Sequence, residues 1–247
     1  MQSFFTEKFK SRNQFVYKDA STGIELWLKR EDEIHPIISG NKFRKLKYNL
    51  LQAKKEGKTK LLTFGGAFSN HIAATAEAAQ LSGLDSIGII RGDELAKRFP
   101  QILEDNATLR RAHQNGMQFY FETRANYRKK DTAEQLQFYK EKFGDIFIVP
   151  EGGTNQLAIQ GCKEILSEDD AAFDVICCSA GTGGTVSGLV EASTKNQQVL
   201  AFSALKGDFL EKEIKKWTSK HNWKLNTDFH FGGYAKASKE LISFINW

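Results

Sequence analysis

The stretch FDVICCSAGTGGTVSGLVEAS, residues 173–193, decides the fold of this 247-residue chain. Its first part, DVICC, is an apolar run typical of a buried strand, and the glycine-rich turn SAGTGGT follows at once. A helical pattern then begins near Thr185. A buried strand that turns directly into a helix is the repeating unit of α/β proteins, so this segment predicts a turn at the carboxyl end of its strand.

The turn of residues 179–185 has the form of a phosphate-binding loop. Glycines let the backbone approach an anion closely, and the free N–H groups at a helix start favour negative charge. It is not the dinucleotide fingerprint GxGxxG, because Val186 stands where the last glycine would fall, and no Gly-Lys-Ser/Thr ends it as in a P-loop. A tight turn without a ligand and a nucleotide-binding loop are the alternatives.

The same alternation of strand and helix recurs along the chain. Apolar runs and helical patterns follow one another at KLLTFGG with NHIAATAEAAQLSG, at DSIGII, at MQFYFE with TAEQLQFYKEKFG, at IFIVPEGG with QLAIQGCKEIL, and at QVLAFSAL with FLEKEIKKW. Such alternation predicts an α/β fold with a parallel sheet covered by helices on both faces. Ligands of open parallel sheets lie beyond the carboxyl ends of the strands.

Composition narrows the class of protein. The formal charge of +5 is spread along the chain, which argues only weakly for nucleic acid as a partner. The three cysteines show no disulfide-framework spacing, and no apolar run is long enough for a membrane span. The N-terminus is polar and lacks signal-peptide features. These observations predict a cytoplasmic protein. The five histidines show no metal-ligand spacing, and a GxSxG elbow is absent, so metal and serine-hydrolase chemistry are disfavoured.

Two further turns carry polar residues after glycines. In FGGAFSNH, residues 64–71, Ser69 or Asn70 is placed to cap a helix, while capping alone does not explain Ser69, Asn70 and His71 in a row. Together they offer hydrogen bonds to a carboxylate or a ring hydroxyl. His71 taken singly is more typical of a structural residue than of an acid or base. The turn PEGGTN, residues 150–155, is a Gly-rich turn or a ligand contact, with Thr154 or Asn155 as the cap.

The stretch SGNKFRKL, residues 39–46, places Lys42 behind a Gly-Asn pair, with Arg44 and Lys45 close by. For an arbitrary lysine in a charged run, a solvated helix start is the usual interpretation. A lysine that attacks an aldehyde must be partly desolvated so that its neutral form is accessible.

Five motifs occur in order: GNKFRKL, GGAFSNH, EGGTN, SAGTGGT and GGYAKAS. In type and order they resemble those of the pyridoxal-phosphate enzymes that include D-cysteine desulfhydrase and 1-aminocyclopropane-1-carboxylate deaminase, from about residue 10 to the end. The resemblance implies the tryptophan synthase β-like fold, fold type II, with two lobes in three αβα layers. It suggests a large lobe of residues 1–47 plus 152–247 and a small lobe of residues 48–151.

The resemblance also implies roles for individual residues. Lys42 would form the Schiff base with pyridoxal phosphate, Asn70 would bind the ring hydroxyl, and Ser69, Asn70 and His71 would meet the substrate. Tyr234 would be an active-site tyrosine near the lysine. The phosphate would be held by Gly181, Thr182, Gly183, Gly184 and Thr185.

These roles predict a lyase or deaminase that converts a small amino acid into a 2-oxo acid and ammonia. The family resemblance favours D-cysteine desulfhydration, since SNH resembles the desulfhydrase form, whereas the deaminases typically carry glutamine at the position of His71. The alternatives are 1-aminocyclopropane-1-carboxylate deamination and a catalytically weak binder of pyridoxal phosphate.

The resemblance implies a homodimer as well. It also implies a further C-terminal segment, with a second active-site tyrosine and a partner for the pyridine nitrogen, whereas this sequence stops at Trp247. We therefore expect weak cofactor retention and low turnover from the chain as given.

Overall fold

A computed structural model of the chain describes Phe5 and residues 11–233 and 236–246. The strands in these ranges are β1 (Asn13–Lys18), β2 (Glu25–Lys29), β3 (Lys60–Gly65), β4 (Asp85–Arg91), β5 (Gln118–Glu122), β6 (Ile146–Val149), β7 (Val175–Ala180), β8 (Gln198–Ser203) and β9 (Trp223–Asn226). The α-helices are α1 (Asn41–Lys55), α2 (Asn70–Leu81), α3 (Ile102–Asp105), α4 (Ala107–Gln114), α5 (Arg124–Tyr127), α6 (Ala133–Phe143), α7 (Gln156–Lys163), α8 (Gly184–Ala192), α9 (Phe209–Lys215) and α10 (Lys239–Ile245). Each strand and helix that the alternating pattern predicts is present.

The backbone falls into two units, residues 1–153 and 154–247. The first unit holds a four-stranded parallel sheet in the order β5-β4-β3-β6. On its inner strand β3, Leu61 packs into a core with Phe43 and Leu46 of α1, whereas Leu62 packs into a core with Tyr139 of α6. Because neighbouring residues of a strand point to opposite faces, this sheet is buried on both sides, as the apolar runs predict.

The second unit holds a three-stranded parallel sheet in the order β7-β8-β9. Helix α8 buries Val186 and Val190 in a core that also contains Ile214 of α9. Helices α7 and α8 approach closely at Gly188, where a Cβ would lie 2.4 Å from the Cβ of Cys162. A larger residue at 188 would therefore push these two helices apart.

One feature differs from the expected architecture. The other strands form two parallel sheets, whereas β1 and β2 pair with each other in a separate antiparallel hairpin. Alternation along a chain shows which segments are strands, whereas pairing partners are decided by contacts between segments far apart in sequence. The lobe boundaries at 47/48 and 151/152 that the family resemblance implies stay a prediction.

Within the described ranges, no helix combines the length and the apolar character that crossing a membrane requires.

Candidate functional site

Lys42 lies where helix α1 begins. Gly40 precedes the helix with φ +60°, a left-handed conformation that favours glycine. The side chain of Lys42 is half-buried, and its Nζ donates to the carbonyl oxygen of Gly152 at 3.4 Å. Since Gly152 belongs to the turn after β6, the amine lies at the carboxyl edge of the four-stranded sheet. This is the edge at which open parallel sheets bind their ligands.

The other basic residues near the start of α1 are buried as well. Arg44 is 1% exposed, Lys45 2% and Lys47 4%, so the interpretation of this run as solvated is wrong. Lys45 Nζ donates to the Gly152 carbonyl at 3.1 Å, so two lysine amines converge on one oxygen. Lys45 is thus a site residue that the sequence pattern did not single out, because a single sequence carries no signal for the burial of one lysine among several.

The turn between β3 and α2 presents two polar side chains at a helix N-terminus. A Cβ on Gly65 would lie 2.5 Å from Ile72 Cγ1, so the turn needs glycine to pack against the first turn of the helix. Ser69 is the N-cap residue, as predicted, but its side chain makes no capping hydrogen bond. Ser69 is half-buried and Asn70 exposed. Both side chains therefore remain available to a ligand where backbone N–H groups favour an anion.

His71 is enclosed in the first turn of α2, at 1% exposure. Its Nε2 lies 2.8 Å from Thr63 Oγ1, and Thr63 donates to the Val149 carbonyl at 2.9 Å. Because a carbonyl only accepts, the hydroxyl hydrogen goes to Val149, and His71 Nε2–H donates to Thr63. The ring rests against Gly153, where a Cβ would lie 3.1 Å from Cε1. Its Nδ1 has no hydrogen-bond partner among the described residues.

Burial holds the pKa of His71 well below its usual value, and the charges of Lys42 and Lys45 lower this pKa further. The Pro150 carbonyl favours the charged ring and offsets part of the shift. The imidazole is therefore neutral at pH 7. Any ligand contact of His71 is made by a neutral ring, and the carboxylate of a substrate would find no imidazolium charge there.

We expect the stability of the protein to fall more steeply below pH 6.5 than that of His71→Gln. In that range the unfolded chain binds a proton at His71 while the folded ring stays neutral, so the unfolded state binds more protons and stability is lost as pH falls. The expected difference in slope is up to about 1.4 kcal/mol per pH unit. Urea unfolding at pH 7, 6 and 5 measures it, with His221→Gln at an exposed histidine as control. Parallel curves for the protein and His71→Gln would contradict a buried neutral ring.

The glycine-rich loop of the second unit lies between β7 and α8. Helix α8 begins at Gly184, one residue from the predicted start, and Gly183 caps it with φ +79° in the left-handed region. Thr182 and Thr154 share a hydrogen bond of 2.6 Å between their hydroxyl oxygens. A Cβ built on Gly181 meets no atom within 4 Å, so open space lies over this part of the loop.

This loop fits the phosphate of pyridoxal phosphate. It combines open space over Gly181, the hydroxyl of Thr182 and the N-terminus of a nine-residue helix. Backbone N–H groups and the helix dipole can neutralise a phosphate without an arginine. Thr185, on the first turn of α8, is 8% exposed.

Two other predicted positions have different outcomes. Asn155 caps α7 as predicted, and its side chain accepts from Ala158 N at 2.9 Å. Tyr234 lies outside the described residues, so its role near the lysine stays a prediction. Among the residues that the structure describes, no group of three or more His, Cys, Asp or Glu side chains could hold a metal ion.

Comparison with known proteins places these features in a family. The family described as pyridoxal-phosphate dependent enzymes matches residues 14–221. A Pyrococcus horikoshii protein provisionally named 1-aminocyclopropane-1-carboxylate deaminase is 29% identical to this chain. The alignment covers 90% of this chain and 72% of that protein. A mitochondrial Arabidopsis thaliana protein, named a bifunctional D-cysteine desulfhydrase/1-aminocyclopropane-1-carboxylate deaminase, is 32% identical over 180 residues. That match covers 68% of this chain and 44% of the plant protein.

The fold is shared with solved structures. The crystal structure of a homologue of 1-aminocyclopropane-1-carboxylate deaminase superimposes with a TM-score of 0.73 at 24% identity. The match covers 100% of this chain and 82% of that one. The predicted α/β fold of the pyridoxal-phosphate enzymes, fold type II, is thereby confirmed.

Proposed function

Since this chain belongs to the family of pyridoxal-phosphate dependent enzymes, we propose that it converts a small amino acid into a 2-oxo acid and ammonia. The proposed substrate is D-cysteine, which with water yields pyruvate, hydrogen sulfide and ammonia. The alternative is 1-aminocyclopropane-1-carboxylate, whose ring opens and which with water yields 2-oxobutanoate and ammonia. The names of the plant and archaeal relatives support both.

The observation that carries this proposal is the place of the Lys42 amine. It lies at the carboxyl edge of a parallel sheet, half-buried, with Nζ 3.4 Å from the Gly152 carbonyl. The Ser69 hydroxyl and the Asn70 amide stand at the start of α2, in the turn that follows the neighbouring strand β3. A reactive amine and neutral hydrogen-bonding groups at one sheet edge suit the binding of an amino acid and the removal of its Cα proton.

Pyridoxal phosphate, when bound, supplies an electron sink for the electrons released at Cα. Lys42 would hold the cofactor through Nζ and then take and return the Cα proton. Ser69 and Asn70 would orient the substrate carboxylate and the cofactor ring hydroxyl by hydrogen bonds. His71, whose Nδ1 is buried and without a hydrogen-bond partner among the described residues, would support Ser69 and Asn70 at the substrate end of the site. The loop of residues 181–185 would bind the phosphate.

We expect Gly181→Val to lower the affinity for pyridoxal phosphate by at least about tenfold, while the chain stays folded. A tenfold loss corresponds to about 1.4 kcal/mol of binding free energy. No atom lies within 4 Å of a Cβ at this position, so the valine side chain fits the protein and fills the space proposed for the phosphate. Titration with the cofactor, followed by absorbance, measures the affinity, and circular dichroism checks the fold.

Gly183→Val is the contrasting variant. Its φ is +79°, and a Cβ would lie 3.2 Å from Ile214 Cγ1, so we expect this change to lower the melting temperature as well as the affinity. Wild-type affinity in a folded Gly181→Val protein would refute the assignment of the phosphate to this loop.

A substrate panel tests the proposed reaction. D- and L-amino acids and 1-aminocyclopropane-1-carboxylate are incubated with the protein and pyridoxal phosphate, and the release of 2-oxo acid and sulfide is measured. We expect D-cysteine to be the better substrate, with His71→Gln shifting the preference toward the cyclopropane compound. A preference of the unchanged protein for the cyclopropane compound would support the alternative deaminase. Cofactor binding without product from any substrate would indicate a catalytically weak binder.

We also propose that the protein forms a homodimer, as the family resemblance implies. Light scattering coupled to size-exclusion chromatography gives the mass in solution, to be compared with 27.9 kDa for one chain. A single species at the monomer mass would contradict this proposal.

A further inference from the structure

A cavity lined mainly by basic side chains lies in the first unit, apart from the loop of residues 181–185. Its volume is about 320 Å³, and its lining consists of Arg91, Arg124, Tyr127, Arg128, Lys130 and Glu151. Arg91 is the last residue of β4, and Arg124 begins the helix after β5. The cavity therefore lies at the carboxyl edge of the four-stranded sheet, where parallel sheets place their ligands.

Glu151, the one carboxylate among the lining residues, already contacts two other lining residues. Glu151 Oε1 accepts a hydrogen bond of 2.8 Å from the Tyr127 hydroxyl, and Glu151 Oε2 lies 3.2 Å from Lys130 Nζ. Burial, and next the charge of Glu151, raise the pKa of Tyr127, so its phenol remains a donor. Lys130 also pairs with Asp131 at 3.0 Å. The Glu151 carboxylate therefore binds Tyr127 and Lys130, and among the described residues it forms no ion pair with Arg91 or Arg128.

The arginines differ in how their charge is compensated. Arg124 pairs with Glu94 at 2.6 Å. Arg91 lies with its guanidinium carbon 5.9 Å from the centre of the Tyr127 ring, and Lys130 Nζ lies 5.3 Å from the same ring. Over the ranges that the structure describes, neither Arg91 nor Arg128 is part of an ion pair. Two guanidinium groups of one concave surface therefore have no carboxylate within ion-pair distance among the described residues.

Arg91 also borders the turn that carries the candidate substrate residues. A Cβ on Gly66 would lie 3.6 Å from Arg91 Nη2, and Gly66 accepts the hydrogen bond from Ser69 N at 3.0 Å. An anion held by Arg91 would thus lie next to the backbone that positions Ser69 at the start of α2. Its charge would act on the turn that carries Ser69.

We propose that this cavity is a binding site for a small metabolite with two anionic oxygen groups, a dicarboxylate or a phosphate ester, held by Arg91 and Arg128. The planar guanidinium group donates two parallel hydrogen bonds, a geometry that matches carboxylate and phosphate oxygens. Tyr127, which precedes Arg128 in the chain, binds Glu151 through its hydroxyl and lies beside Arg91 with its ring.

The test uses succinate and inorganic phosphate as probes, titrated by calorimetry at constant ionic strength with chloride as the reference anion. Variants R91Q and R128Q remove one charge each at exposed positions, and R111Q removes an exposed arginine of α4 outside the cavity. G181V is measured in parallel, because phosphate can also bind at the loop of residues 181–185. Circular dichroism confirms that each variant is folded.

We expect R91Q and R128Q to weaken binding of at least one probe by about tenfold or more, the loss typical of one charge-assisted hydrogen bond. We expect R111Q and G181V to bind the same probe at the cavity with the affinity of the unchanged protein. Tighter succinate binding identifies a dicarboxylate ligand, and tighter phosphate binding a phosphate ester. The proposal is overturned if neither probe binds the unchanged protein, if R91Q and R128Q bind as it does, or if R111Q loses as much affinity as they do.

Discussion

Replacing Lys42 with alanine is expected to lower the release of 2-oxo acid by at least about 10³-fold, within the range for loss of a proton-transfer group. The same change should remove the covalent attachment of pyridoxal phosphate. The physical reason is that the Lys42 amine is held half-buried by the Gly152 carbonyl at the edge where open parallel sheets bind their ligands.

The covalent attachment is measured separately from activity. Borohydride reduction of the loaded protein, followed by peptide mapping, identifies the lysine that carries the cofactor. Lys45 is the stringent competitor, because its Nζ donates to the same carbonyl oxygen. Lys54→Ala, at an exposed position of the same helix, is the control and should retain both attachment and turnover. Label on Lys45, or persistent turnover of Lys42→Ala, would show that the assignment of the cofactor lysine is wrong.

The second large effect is expected at the ion pair that anchors the helix of Lys42. Arg44 is 1% exposed and donates to both carboxylate oxygens of Glu31, from Nε at 2.9 Å and from Nη2 at 2.8 Å. Glu31→Gln keeps the shape of the side chain and removes its charge, so the buried guanidinium loses the attraction of the Glu31 carboxylate. We expect a loss of about 3 kcal/mol in the free energy of unfolding, the lower end of values for breaking a buried pair.

A nearby pair with similar geometry provides the control. Glu33, two residues along the chain, also receives two hydrogen bonds from one arginine, Arg12, at 2.8 and 2.7 Å. There the side chains are 57% and 39% exposed, so water and salt screen the charges. Glu33→Gln should therefore leave the urea midpoint nearly unchanged. Equal losses in the two variants would show that burial does not decide the strength of these pairs.

Much of the fold could be predicted from the sequence because its signals are local. Apolar runs followed at once by glycines and a helical pattern mark β3 with α2 and β7 with α8, and these two strand–helix pairs lie within a few residues of their predicted positions. The start of α8 depends on the left-handed conformation of Gly183, which its own residue type permits. The hairpin of β1 and β2 was missed, since its pattern carries no glycine-to-helix turn.

The candidate site also combines features that adjacent residues determine with features that depend on tertiary contacts. The sequence by itself determined that a helix begins near Lys42, that Ser69 and Asn70 start another, and that a glycine loop precedes α8, because each depends on adjacent residues. Only the tertiary structure decided that Lys45 is buried beside Lys42 and that His71 is a neutral ring. The same holds for the meeting of Arg91 and Arg128 in one cavity. Burial and the pairing of charges depend on side chains brought together across the chain, and no local pattern encodes which of them meet.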